Sequence, residues 1–340
     1  MAEREIGIAV VGAGRAGMIH AVNFRKNVPR ARLVAVVDPV PEARESALAA
    51  LEINKAYGDY RDALGDRDID ALVVVVPTAL HRGIVCDAAS AGKHVLCEKP
   101  MAMSEEECRD MISAAESAGT KLQIGFMRRF DAGFRKAKEA VESGAVGDVV
   151  MVRSNTRGPS VPQPWMYDIS KSNGPLAEVN SHDIDTLRWF TGGEFRTVYA
   201  VGGNYRCPDA KDDWPDFYDN VIMSATFDNG MQGIIDGAQG VGYGYDARTE
   251  VLGTKGCVFI GRLNDESVVT CTADGNTGSY PIVRSWRQLF EPAYLAEDIS
   301  FTECVLEGRE PEVTGRDGLM AVRVVNAGNK SIVEKRIVEL

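Results

Sequence analysis

The sequence predicts two domains: an α/β domain with a parallel sheet, then an α+β domain built on a large, mostly antiparallel open sheet. Three observations carry this expectation. Strand and helix signals alternate through the first third of the chain. A glycine-rich turn joins the first strand to the first helix. After about residue 127 the strand-like runs follow one another directly, separated by Gly-rich and Asn-Gly turns. Repeated strand–helix–strand units build parallel sheets, whereas successive hairpins build antiparallel ones.

In order, Ile6–Val11 is a short apolar strand, and residues 15–27 read as a helix. Residues 33–37 form a second buried strand, followed by the Ala- and Glu-rich helix Pro41–Leu51. Residues 71–76 are apolar throughout and end in four successive Val, as a central parallel strand should be. A helix over 80–91 ends near Gly92, and residues 94–97 make another strand. Ser104 and Glu107 form a capping-box pair opening a helix that Gly119 closes. Residues 122–126 complete the parallel set.

The second part has a helix over 134–143 and a strand starting at 149–154. A Gly/Pro/Ser/Asn-rich loop over 157–175 precedes a helix over 180–190. Strand-like runs then cover 198–202, 221–227, 232–236, 249–252, 258–260 and 267–272, with Asp228-Asn229-Gly230 as a hairpin turn. Helices over 293–306 and 319–334 close the chain. The expected division is 1–126 and 127–340.

At 340 residues both domains are large enough to bury cores without disulfides or structural metals. A net charge of -11 argues against nucleic acid and anionic membrane as partners. Seven cysteines without a Cys-x-x-Cys pattern, and only four histidines, point to reduced thiols and no metal site. No signal-peptide pattern precedes the first strand, so a cytoplasmic protein is expected.

Gly12-Ala13-Gly14-Arg15-Ala16-Gly17 lies between a strand and a helix, the context that a dinucleotide fingerprint requires. Gly12 permits the tight turn, Gly14 lets a pyrophosphate approach, and Gly17 lets helix pack on strand. The helix N-terminus favours the phosphates. Asp38 ends the second strand, about 20 residues on, where an acid accepts from the adenosine ribose. It would repel a 2′-phosphate, so NAD is expected rather than NADP, although Arg44 is near enough in sequence to swing in. Such a domain is a Rossmann domain. Its ligand lies beyond the carboxyl ends of the strands, which places Pro77, Thr78 and His81 near the cofactor cleft. Glu98-Lys99-Pro100 ends a strand in the same way, and Pro100 disfavours helix at Lys99. An ammonium there can stabilise a developing alkoxide.

The glycine turn, the loop Pro77-Thr78-Ala79-Leu80-His81 and above all Glu98-Lys99-Pro100 resemble the glucose–fructose oxidoreductase/inositol dehydrogenase/rhizopine catabolism (Gfo/Idh/MocA) family. The run from Gln123 to Asp131 is similar to its inositol 2-dehydrogenase branch. Gly253-Thr254-Lys255-Gly256 and Asp317-Gly318 also fit, so the resemblance spans essentially the whole chain. It implies NAD-dependent oxidation of a secondary alcohol of a cyclic polyol or sugar. The family's Asp-x-x-x-His pattern falls on Glu178 and His182, with Glu where Asp is usual. If that segment is one helix, the two side chains share a face. The resemblance implies that His182 takes the hydroxyl proton, that Lys99 stabilises the oxygen, and that Glu178 orients His182 or a substrate hydroxyl. Oxidation should then quicken as pH rises through the imidazole range.

A polyol needs many hydrogen-bond partners and a flat apolar surface. Arg128, Arg153, Asn155, Arg157, Trp165, Tyr167 and Tyr245 are the candidates for substrate binding. Asp183 and Asp185 are expected to be solvated or capping. The resemblance also implies a homodimer or homotetramer formed through the second domain's sheet. Two other readings stand beside this one: oxidoreduction of another sugar, such as an aldose, keto-sugar or nucleotide sugar, and non-catalytic NAD binding.

Overall fold

The computed structural model describes residues 4–265, 268–272 and 277–340. The chain divides into two compact units. The first comprises residues 1–130 and 292–322, and the second residues 131–291 and 323–340.

The first unit runs β1 (Ile6–Val11), α1 (Gly17–Lys26), β2 (Ala31–Val37), α2 (Pro41–Leu51), β3 (Ala56–Tyr57), α3 (Tyr60–Leu64), β4 (Ala71–Val74), α4 (His81–Ser90), β5 (His94–Glu98), α5 (Glu105–Ala118) and β6 (Leu122–Gly125). All six strands pair in parallel, in the order β3-β2-β1-β4-β5-β6. This is the order of a doubly wound dinucleotide-binding sheet, and its switch point lies between β1 and β4. The short β3 and α3 were not legible in the sequence pattern. Pro41 opens α2 at a position where its missing N–H costs nothing. The Ser104 hydroxyl accepts from the Glu107 N–H at 3.2 Å. The Glu107 carboxylate reaches past the cap to the Met103 N–H at 2.9 Å, a shifted capping box.

The second unit holds α6 (Ala132–Glu142), β7 (Val149–Gly158), α7 (Ile169–Ser172), α8 (Gly174–Glu178), α9 (Ser181–Thr191), β8 (Phe195–Gly203), β9 (Asn220–Phe227), β10 (Gln232–Gln239), β11 (Asp246–Gly253), β12 (Cys257–Ile260), β13 (Thr270–Thr272), β14 (Thr277–Ser279) and α10 (Trp286–Leu289). Helices α11 (Glu291–Glu307) and α12 (Gly315–Glu334) and strand β15 (Val338–Glu339) follow. The main sheet has seven strands in the order β12-β11-β7-β10-β9-β8-β15. Its neighbours are antiparallel except for β7 and β10, which run parallel. The sheet is therefore mixed, with one parallel pair in an otherwise antiparallel array. Gly230, at φ +85°, closes the expected β9–β10 hairpin. The last expected strand is β13, which among the described residues pairs only with β14; Ser267, where that run was expected to begin, lies outside the described residues.

A single cut at 126/127 does not describe these units. Phe301 and Val305 of α11 join Ile6, Ile8, Val10 and Leu96 in one apolar core, which draws 292–322 into the first unit. Each large apolar side chain so buried stabilises by about 1.5–3 kcal/mol. All seven cysteines are free. Among the described residues, no helix is long and apolar enough to cross a membrane.

Candidate active site

The glycine turn is built as its spacing requires. Gly12 has φ +103°, and a Cβ there would stand 2.1 Å from the Val75 carbonyl oxygen. A Cβ on Gly17 would meet the Gly12 carbonyl oxygen at 1.8 Å. Around Gly14 nothing lies within 4 Å, which leaves the outer side of the turn open. The Asp38 carboxylate accepts from the Ala13 and Val40 N–H groups, each at 2.9 Å. A carboxylate has about four acceptor positions, so two remain for ribose hydroxyls. The Arg44 guanidinium donates to the Asp38 carbonyl at 2.7 Å and is tethered there, while Arg15 is exposed. The turn, its open side and the fixed acid fit NAD. Gly14→Ala clashes with no protein atom, so its Tm should match wild type while its Kd for NAD rises roughly tenfold or more. Unchanged NAD binding by calorimetry would show that the pyrophosphate does not pass over Gly14.

Pro77 precedes a short 3-10 turn, Thr78–Leu80, that leads into α4. His81 is buried, and burial lowers its imidazole pKa. Its Nε2 lies 2.9 Å from the Val76 carbonyl oxygen, and its Nδ1 lies 3.0 and 3.2 Å from those of Pro100 and Met101. Both nitrogens face backbone, so the ring ties the loop after β4 to the loop after β5. This corrects the expectation that His81 meets the cofactor. Lys99 follows β5 and is half-buried, and its peptide bond to Pro100 is cis. Glu98 is buried, and its Oε2 accepts from the Lys99 N–H at 3.0 Å. Contact with a cofactor was expected of Glu98; its carboxylate turns inward instead.

The inward side of Glu98 meets groups that lie far from it along the chain. His20, Glu98 and Glu297 offer ligand-type atoms within 4.8 Å of one another, and all three are buried. Both carboxyl oxygens of Glu297 lack a hydrogen-bond partner among the described residues. Burial, then the nearby Glu98 carboxylate, pushes the Glu297 pKa well above the carboxylate range. Stability linked to that proton is full below the unfolded carboxyl value and is lost as pH rises through the folded value. Glu297→Gln mimics the protonated form. Its Tm advantage over wild type should therefore widen as pH rises from acid towards alkaline. A variant less stable than wild type at neutral and alkaline pH would show that the carboxylate is needed.

In the second unit, Glu178 ends α8 and His182 is the second residue of α9. Val179 and Asn180 break the run between them, so the condition that one helix carries the pair is not met: two helices are joined by a turn. His182 is buried and Glu178 half-buried. Asp183 anchors the start of α9. Its Oδ1 accepts from Ser154 at 2.6 Å and Thr156 at 3.0 Å, and its Oδ2 from Asn180 at 2.8 Å. Asp183 and Asp185 are both buried, against the expectation of solvated acids. The donors to Asp183 on β7 lie 27 and 29 residues away in sequence, so no local signal marked it.

The substrate candidates divide. Trp165, in the 3-10 turn Pro164–Met166, is 60% exposed. Arg153 is also exposed. Arg157 forms a two-point ion pair with Asp236 across β7 and β10, which holds its pKa above the usual range. Asn155 and Tyr245 are buried. Arg128, in the 3-10 turn Met127–Phe130 of the first unit, is only 1% exposed and is among the largest fully buried side chains. Tyr167 packs with Cys207, Ala210 and Phe217, and its hydroxyl donates to Asp209 at 2.9 Å; it is a core residue.

Comparison with known proteins matches both units. Residues 6–126 fit an oxidoreductase family with an NAD-binding Rossmann fold, and residues 134–259 a GFO/IDH/MocA C-terminal domain. The chain is 35% identical over 336 residues to the myo-inositol 2-dehydrogenase of Thermotoga maritima, covering 98% of each. It is 34% identical over 332 residues to the NAD(+)-dependent scyllo-inositol 2-dehydrogenase of Bacillus subtilis, covering 97% of this chain and 94% of that one. The structure of Lactobacillus casei scyllo-inositol dehydrogenase with bound NAD(H) and scyllo-inositol is similar at a TM-score of 0.89 and 28% identity, over 99% of each chain.

Proposed function

The chain belongs to the GFO/IDH/MocA oxidoreductase family, and from that membership we propose that it oxidises one secondary hydroxyl of an inositol-type cyclic polyol to the ketone, using NAD. The observation that carries this reading is the likeness to myo- and scyllo-inositol 2-dehydrogenases over 98% and 97% of the chain. Bound NAD supplies the hydride acceptor. His182 takes the proton of the reacting hydroxyl. Lys99 stabilises the negative charge on the same oxygen. Glu178 orients His182 or holds a neighbouring hydroxyl. Asp38 selects the unphosphorylated ribose, since the Arg44 guanidinium beside it is turned onto the backbone. Exposed Trp165 offers a flat surface to the polyol's C–H face.

The test is NADH absorbance on mixing the protein with NAD or NADP and a panel of inositols, aldoses and nucleotide sugars. Turnover with an inositol and NAD supports the reading. Turnover confined to another sugar class, or cofactor binding without turnover, contradicts it.

A homo-oligomer formed through the seven-stranded sheet belongs to the same proposal. Tyr199 and Val201 on β8 and Ile222 on β9 are exposed, and Val201 pairs directly with Ile222 on one face. A run of apolar side chains on an open sheet face favours pairing with a second copy. Ile222→Asp should shift the protein towards monomer in light scattering. A wild-type protein already monomeric at micromolar concentration would contradict the assembly. Seven free cysteines suit a reducing compartment, the cytoplasm.

A further inference from the structure

We propose that the buried pair His20–Asp298 positions Lys99, acting through the carboxylate of Glu98. The inference rests on the reading that Lys99 meets the reacting oxygen.

The contacts form a continuous path. Asp298 on α11 is fully buried and held twice: the Asn23 amide donates to its Oδ2 at 2.9 Å, and its Oδ1 lies 2.7 Å from His20 Nδ1. His20, fully buried on α1, stands edge-on to the Tyr294 ring at 5.4 Å and 85°. Its Nε2 faces Glu98 Oε1 at 3.4 Å. The other Glu98 oxygen accepts from the Lys99 N–H at 3.0 Å. On the neighbouring strand β6, Gly125 leaves the room this needs: a Cβ there would stand 3.0 Å from the Glu98 carboxyl carbon. The helix that begins at the glycine turn thus also carries the strut behind Lys99.

The path works with one protonation state. Both ring nitrogens of His20 face carboxylate oxygens, and only an imidazolium donates from both. Burial is the largest single influence and opposes that charge, but the Asp298 and Glu98 carboxylates together outweigh it and raise the His20 pKa well above its ordinary value. The spacing of His20, Glu98 and Glu297 is also one a divalent cation would accept. Here the imidazolium supplies the positive charge, and its Nδ1 partner fixes the ring as a carboxylate fixes a ligating histidine.

The test is a double-mutant cycle on the full-length enzyme. His20→Gln and Asp298→Asn are each made alone and together with Lys99→Met. Asp298→Asn conserves volume and keeps the test open if His20→Gln does not fold. Each single variant should lower kcat roughly tenfold to a hundredfold, as when a reacting group is displaced by about an ångström, with KM and NAD affinity unchanged. In the Lys99→Met background neither should lower kcat further, because changes acting through one group do not multiply. Losses that multiply would assign His20 a general packing role and overturn the proposal. So would wild-type kcat in both single variants, or a stoichiometric metal in the purified protein that His20→Gln removes. If Lys99→Met itself turns over like wild type, the functional reading has failed, and there is nothing for the strut to position.

Discussion

Replacing His182 by alanine should lower kcat for polyol oxidation by roughly a hundredfold to ten-thousandfold, the usual contribution of a positioned general base, while NAD binds as in wild type. His182 lies at the start of α9, on a helix that Asp183 pins to β7 through Ser154 and Thr156. The imidazole is therefore held by its helix, and removing it leaves that anchor in place. NAD affinity should be unaffected because the glycine turn and Asp38 belong to the first compact unit, whereas His182 belongs to the second. Near wild-type turnover in this variant would remove His182 from the chemistry. Loss of NAD binding together with turnover would point instead to a folding defect.

Lys99→Met should depress kcat by roughly a hundredfold to a thousandfold, the range seen on removing one preorganised donor from a developing oxyanion. Methionine keeps the length and the apolar stem while deleting the charge. The backbone beneath it stays fixed by Glu98 and by the His81 ring, which ties Pro100 and Met101 to Val76. The defect should therefore appear in kcat, with Tm close to wild type. A variant with higher KM for the polyol and intact kcat would recast Lys99 as a binding group.

The parallel half of the molecule was legible because its information is local. Apolar runs such as Ile6–Val11 and Ala71–Val74 are buried strands, Gly12 and Gly17 leave no room for a Cβ, and Gly119 adopts a left-handed cap that favours glycine. What was missed depends on contacts distant in sequence. The two-residue strand β3 exists only through its pairing with β2. Strand β7 continues from its expected start to Gly158, because Arg157, which reads as loop, pairs with β10 and β11. Asp183 looked like a surface acid until Ser154 and Thr156 supplied its donors. His20 and Asp298 lie 278 residues apart, and only the return of α11 to the first unit brings them together. The residues that the family resemblance assigns to chemistry stood in the sequence; the buried contacts from His20 to Asp298 and from Asp183 to β7 did not.

The most direct measurement follows the hydrogen itself. The protein is incubated with NAD and an inositol carrying deuterium on one carbinol carbon, and the reduced cofactor is weighed by mass spectrometry. For the labelled position that reacts, deuterium should appear in the nicotinamide ring in proportion to ketone formed, with a slowed rate in the His182→Ala protein. Ketone formed with deuterium lost to solvent, or no reduced cofactor with any labelled inositol, would contradict hydride transfer from a cyclic polyol.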